Sequence, residues 1–334
     1  MYKRGLFAEW VPKPLQLLFI FIMLVTAMSA NALFLGNTSG MAGSLAIWPE
    51  DIMMANYAAT IGMILVMPII MRIKFRFKAR HLMLLSFSGM ALLSVICATT
   101  NEPAVLVAAN LLFGGLKMLA MIEVIVPIMF MISPTGERAM FYSVFYPISI
   151  SLGTLSSYLA ALAAYNTNWQ FVYIYSLMLL GLCLIIVAAF SHNAYGTKKV
   201  PLYGIDWLSP LLLAAALLSL DYVFSYGQVS DWLNSNKIQA AFLGFILPAL
   251  LFVQRQLVVK RPFIDLAILK RKNVKGSIFF IFLVGIFFAT SGIQSAFSLS
   301  QRFGIGGKLL RRLARGGRAG DAGHRKFGDF ASWL

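Results

Sequence analysis

Long apolar stretches separated by short charged ones run through the chain from residue 15 to residue 299. Nine of them approach or reach the roughly 20 residues that a membrane-crossing helix needs. They cover residues 15–35, 53–71, 82–99, 104–133, 140–164, 169–190, 205–226, 238–253 and 276–299, the eighth being the shortest. Strands that alternate with polar positions would show a period of two, whereas these runs are continuous, which predicts helices. The first run follows Lys3, Arg4 and Lys13 and ends near Ala30-Asn31-Ala32, so a secretory signal competes with a retained helix. Its length and the eight runs behind it favour the helix.

Basic residues fall in alternate gaps between the runs. Of the 20 Lys and Arg before position 302, 18 lie in segments on the side of the N-terminus, Lys237 lies on the other, and Lys117 lies inside a run. By the positive-inside rule this places the N-terminus and the segment 72–80 in the cytoplasm, with the chain crossing the cell membrane repeatedly. Trp10, Trp48, Trp169, Trp207 and Trp232 flank run ends, where interfacial anchors sit. The fold class is therefore an all-α polytopic membrane protein with about nine transmembrane helices.

Composition narrows the function. With 60% hydrophobic and 12% charged residues, a water-soluble enzyme is excluded. The net charge of +16 does not indicate nucleic acid, because it is sorted between apolar runs instead of along one face; the lipid bilayer is the expected partner. Cys97 and Cys183 lie within runs and have no metal-ligand spacing. The three histidines do not cluster, and no hydrolase, zincin or Walker signature occurs, so no enzyme activity, metal or cofactor is expected.

Ionisable groups inside apolar runs need a partner, a cavity or a function. Lys117 is near the middle of the fourth run, with Glu123 about 9 Å deeper and turned about 120° away, so the two form no intrahelical pair. Asn110 and Gly114 share the face of Lys117. That stripe reads either as the wall of a substrate or proton pathway or as a helix-packing face. Asp221, near the end of the seventh run, is a further pathway candidate beside interface solvation, as are Glu123 and Asn31, which with Thr26 and Ser29 gives the first run a polar edge that also reads as helix packing. Asp206, Glu50 and Asp51 read as first-turn carboxylates at helix starts. Residues 302–334 differ from the rest: eight Lys or Arg, two Asp and eight Gly break both composition and charge sidedness, as a frameshifted or truncated end would, with a basic arm for anionic lipid or nucleic acid as the alternative.

Several motifs carry a resemblance. The basic segment from Met71 to Arg80 stands where one family has G-x-x-x-D-R-x-G-R-R, with Arg72, Arg76, Lys78 and Arg80 as its cations, Phe75 in the acidic place and Lys78 in that of the later glycine. In the fourth run Asn110 replaces an arginine that precedes glycines, here Gly114 and Gly115. In the fifth, Gly153, Ser156 and Ser157 keep small side chains, without the family's proline. Trp169-Gln170-Phe171, Gly204-Ile205-Asp206-Trp207-Leu208, Asp231-Trp232 and the stretch from Lys260 to Leu266 resemble the start of a sixth helix, a two-helix insert and a linker. In these features residues 10–300 resemble the major facilitator superfamily, specifically its fourteen-span drug:proton antiporter branch. The resemblance implies two six-helix bundles around a central path and proton-coupled export of small molecules by alternating access. It maps residues 1–199 to the first bundle, 200–258 to the insert, 259–300 to a linker and the first helix of a second bundle, and 301–334 to the aberrant tail. It assigns gating to Arg72, Arg76, Lys78 and Arg80, and helix packing to Gly153, Ser156 and Ser157. A chain cut or frameshifted near residue 300 would then be incomplete and would transport nothing alone. Its rivals are a non-transporting remnant or assembly partner, and an integral-membrane enzyme.

Overall fold

The computed structural model describes residues 6–31, 38–132, 137–166, 170–192, 206–259 and 261–286. Ten helices with defined bounds are α1 (Lys13–Ser29), α2 (Thr38–Leu45), α3 (Pro49–Val66), α4 (Ile70–Arg76), α5 (Ala79–Thr99), α6 (Pro103–Ile132), α7 (Arg138–Asn166), α8 (Phe171–Phe190), α9 (Leu208–Tyr226) and α10 (Asn236–Val258). Among the described residues there is no strand, only an isolated bridge between Phe7 and Ser191. Among the described residues six helices are long and apolar enough to cross a membrane, or seven if α3 and α4 count as one bent span. The protein is an all-α polytopic membrane protein. It divides into two compact units, Met1–Asp265 and Leu266–Leu334. Within the second, residues 272–286 are helical. The ninth apolar run beyond residue 286, the tail 301–334, Lys198, Lys199, Trp169, Gly204, Ile205 and Lys260 lie outside the described residues.

Local chemistry sets the helix ends. Pro49 opens α3 where its missing N–H costs nothing, and the Asp51 carboxylate turns back to accept the Trp48 N–H at 3.0 Å. Two sequence boundaries need correcting. The second apolar run does not continue straight to residue 71: α3 stops at Val66, and the chain bends by 64° into α4 around Pro68, which has no N–H to donate. The expected basic loop is therefore a short helix over Ile70–Arg76 followed by a tight link into α5. The first run also ends early, for α1 stops at Ser29 and Ala30 is already extended, with φ −66° and ψ 124°.

In the first unit α6 is the central post, packed by α1, α3, α5 and α7, while α8 fills the space between α1, α5 and α7. Met23, Phe87, Met90, Phe113 and Leu180 form the fully buried interior. The α9–α10 hairpin docks through α9 on α3. At one end the N-terminal segment closes against α8, with the His192 N–H on Leu6 O at 3.0 Å, the Ala8 N–H on Phe190 O at 2.9 Å, and Phe19 and Trp10 against the Phe190 ring. Arg80 reaches the same end of α8 and donates to Ala188 O.

Candidate functional site

A helix that stops inside a bilayer leaves carbonyl oxygens with no intrahelical donor, and lipid supplies none. α1 ends at Ser29, and side chains from two other helices cover its last carbonyl oxygens. Lys117 Nζ, from the middle of α6, donates to Ala30 O at 2.9 Å, Asn31 Oδ1 at 2.9 Å and Met28 O at 3.3 Å. Ser156 Oγ, from α7, donates to Ser29 O at 3.0 Å. All three ammonium protons thus have oxygen acceptors, and a positive charge lies at the negative end of the α1 dipole. A small cavity of about 60 Å³ adjoins this end, lined by Ser29, Ala30, Ser156, Tyr175 and Ser176, and the Ser176 hydroxyl there is buried without a hydrogen-bond partner. That is room for water beside the break.

The other sequence candidates divide among different neighbours. Asn110 is buried against α5, donating to Cys97 Sγ at 3.5 Å and to Leu106 O in its own helix at 2.8 Å. Gly114 faces α3 so closely that a Cβ there would lie 1.8 Å from Ala59 O. Asn110, Gly114 and Lys117 thus share a helix face in projection but meet α5, α3 and α1 at successive depths, and the first two are taken up by packing. Glu123, fully buried, pairs with Lys74 of α4 at 3.4 Å, and Lys74 also donates to Ile122 O at 3.2 Å. One cation of the basic segment is therefore drawn under α6, while Arg76 is exposed and Arg80 caps α8. Arg72 and Lys78 are partly buried. In α7 a Cβ placed on Gly153 would meet nothing within 4 Å. Ser156 does contact α1, and the side chain of Ser157 lies outside what the structure describes.

Four residues escaped the sequence reading. Lys74 was only one of several cations in a basic segment. At the base of the α9–α10 hairpin, Arg255 grips Asp206 with Nε on Oδ2 at 2.8 Å and Nη2 on Oδ1 at 2.9 Å. Gln256 donates to Ser209 Oγ at 2.7 Å and accepts the Ile264 N–H at 2.9 Å, which ties the linker back to the hairpin. Opposite charges at the same end of two runs joined by a short turn were the available signal for Arg255; nothing in the sequence marked Ser209 and Gln256. Asp206 also accepts the Leu208 N–H at 3.3 Å, so the first-turn role read for it is present too.

The Arg255 hydrogen bonds hold the Asp206 carboxyl down at about 2, against an ordinary value of 3.8. A depressed carboxyl contributes stability that is present above its unfolded pKa and lost as pH falls through the folded one. Asp206→Asn should therefore lower the thermal midpoint of the detergent-solubilised chain at pH 5, and the gap from wild type should close as pH falls from about 4 towards 2. A gap of the same size at both ends of that range would show that the ion pair does not set it.

No family model matches the chain. Over 201 residues it is 22% identical to the colistin resistance protein EmrB of Acinetobacter baumannii, a match that covers 59% of this chain and 38% of that protein. The chain thus spans well under half the length of this curated relative. This distant similarity agrees with the multi-pass membrane architecture that the apolar helices give.

Proposed function

We propose that the chain contributes a helix bundle to a secondary transporter of the major facilitator type, which exports small drug-like molecules in exchange for protons across the cell membrane, with its N-terminus in the cytoplasm. The observation that carries this reading is the end of α1, held by Lys117 from α6 and Ser156 from α7. Broken helices whose ends present backbone oxygens near the bilayer centre are the usual binding and coupling elements of secondary transporters. A contact between α1 and α6 made by one cation can be released as a unit when the helices rock. In this reading Lys117, Asn31 and Ser156 hold one state of the path, Glu123 with Lys74 latches the cytoplasmic end, and Asp221 offers a carboxylate on the α3–α9 side. The resistance named for the relative makes cationic antibiotics one substrate class to try. The alternative is a membrane protein that assembles without transporting, which the 38% coverage of the relative keeps in view.

Reconstitution tests both. The chain alone, and a chimera in which the relative supplies the helices beyond the matched region, are placed in proteoliposomes with an imposed pH gradient. Gradient-driven movement of a fluorescent drug by either protein supports the transport reading, and Lys117→Leu should abolish it. If both insert and neither moves the drug, the non-transporting alternative replaces it. Orientation is checked separately in intact cells: a membrane-impermeant thiol reagent should label Gly40→Cys and spare Arg76→Cys. The native Cys97 and Cys183 are buried and give little background. The opposite labelling pattern would invert the topology.

A further inference from the structure

Where α9 crosses α3, the two helices leave a cleft of about 590 Å³, within the size range of small-molecule sites. In a chain of net charge +16, three carboxylates gather at or beside it. Asp51 is spoken for, since it accepts both the Trp48 N–H and the Tyr226 hydroxyl. The other two each keep one oxygen without a donor. Asp221 is 7% exposed; Ser225 Oγ donates to its Oδ1 at 3.2 Å, while its Oδ2 is buried with no hydrogen-bond partner. Glu50 Oε2 is likewise buried without a partner, and both residues line the cleft. A buried carboxylate oxygen with no donor is costly, and the two residues that carry one line the same cavity, so a small turn of either carboxylate presents it to a group that brings donors and positive charge together. The remaining walls are aromatic and aliphatic. Tyr57 and Phe224 bring aromatic rings, a group that can attract a cation, and Met53 and Leu220 bring apolar surface.

The geometry points to this cleft as a binding site for a protonated amine carried on an apolar body, with Glu50 and Asp221 accepting the ammonium N–H groups and Tyr57, Phe224 and the aliphatic wall holding the tail. A quaternary ammonium would satisfy the charge but not the two open acceptors, so a primary amine fits better. A metal ion fits poorly, because ring and methylene groups outnumber the oxygens that would have to replace its water. The site lies between the bundle and the hairpin, away from the end of α1, and does not depend on whether the chain transports anything. The same chemistry could arrive as a free amphiphilic amine or as the headgroup of an aminophospholipid.

Equilibrium binding of tritiated dodecylamine at pH 7 to the full chain, purified in an uncharged detergent, tests the site. Saturable binding is expected, weakened about tenfold or more by Asp221→Asn or Glu50→Gln, as loss of one charge-assisted hydrogen bond implies. Asp221→Glu should keep binding. Thr60→Trp, which leaves both carboxylates in place and fills the cleft, should block it, and thermal unfolding of each variant shows that the fold survives. Dodecanol, with the same tail and no charge, should not compete. Competition by phosphatidylethanolamine but not phosphatidylglycerol identifies a lipid headgroup as the natural source; no competition by either identifies a free amine. Binding that ignores both carboxylates and the filled cleft, or that dodecanol displaces equally well, overturns the proposal. Neither result bears on transport, which is read from the Lys117 variants.

Discussion

Replacing Lys117 with leucine is expected to release the end of α1 from the bundle, lowering the stability of the detergent-solubilised chain by roughly 2–4 kcal/mol. The side chain holds three acceptors at once, Ala30 O, Asn31 Oδ1 and Met28 O, across 86 to 89 residues of sequence. Leucine can fill much of the same volume and donates nothing. Each orphaned buried acceptor costs about 1–3 kcal/mol, and the sum is reduced because a charge no longer has to be held out of water. Insertion should be unaffected, since leucine is favourable at mid-membrane where lysine is not. Asn31→Leu removes one of the three acceptors and should cost about 1 kcal/mol. In a double-mutant cycle the two changes should couple by about 1 kcal/mol, because the second has nothing left to break. Additive effects would mean that Lys117 and Asn31 act apart. Wild-type stability together with wild-type transport for Lys117→Leu would remove the α1–α6 contact from both the fold and the mechanism.

Placing a methyl group on Gly114 or Gly62 is expected to be as damaging, for a different reason. These glycines make the crossing of α3 and α6: a Cβ on Gly114 would lie 1.8 Å from Ala59 O and 2.6 Å from Ala59 C, and one on Gly62 would lie 1.9 Å from Leu111 O. The atoms in the way are backbone, which cannot rotate aside as a side chain does. The helices would have to separate along their length and give up the close packing that stands in for a hydrophobic driving force in lipid. Overpacking costs about 1–3 kcal/mol where side chains can adjust, so Gly114→Ala and Gly62→Ala should reach or exceed the top of that range. Gly181→Ala in α8 is the control. Among the described residues nothing lies within 4 Å of the place its methyl group would take, so the change should be neutral or stabilising by up to about 1 kcal/mol. Unfolding titrations of all three in the same detergent separate the cases, and equal responses would show that the crossing is not close-packed.

Much of the architecture was legible in the residue order because the bilayer enforces it. A run of about 20 apolar residues has one stable conformation in lipid, and the α5, α6, α8 and α9 segments are where their runs place them. Asp51 at the start of α3 shows the same for a local contact, since its acceptor reaches a donor only three residues away. Helix ends were less legible. The early stop of α1 at Ser29 and the bend after Val66 lie inside apolar stretches, where hydropathy gives no boundary and the outcome depends on which neighbouring side chains cover the freed carbonyls. Helical projection put Asn110, Gly114 and Lys117 on one face, and it was blind to which helix each of them meets. That a cation belonged in the fourth run, and that it needed company, followed from the cost of a bare ammonium in lipid. Its partners, Met28, Ala30 and Asn31, and the pairing of Glu123 with Lys74, were decided only when α1 and α4 packed against α6. Hydropathy and charge placement are sums over single residues, whereas an ion pair or a helix crossing is set by two distant surfaces meeting, and only the tertiary structure contains that information.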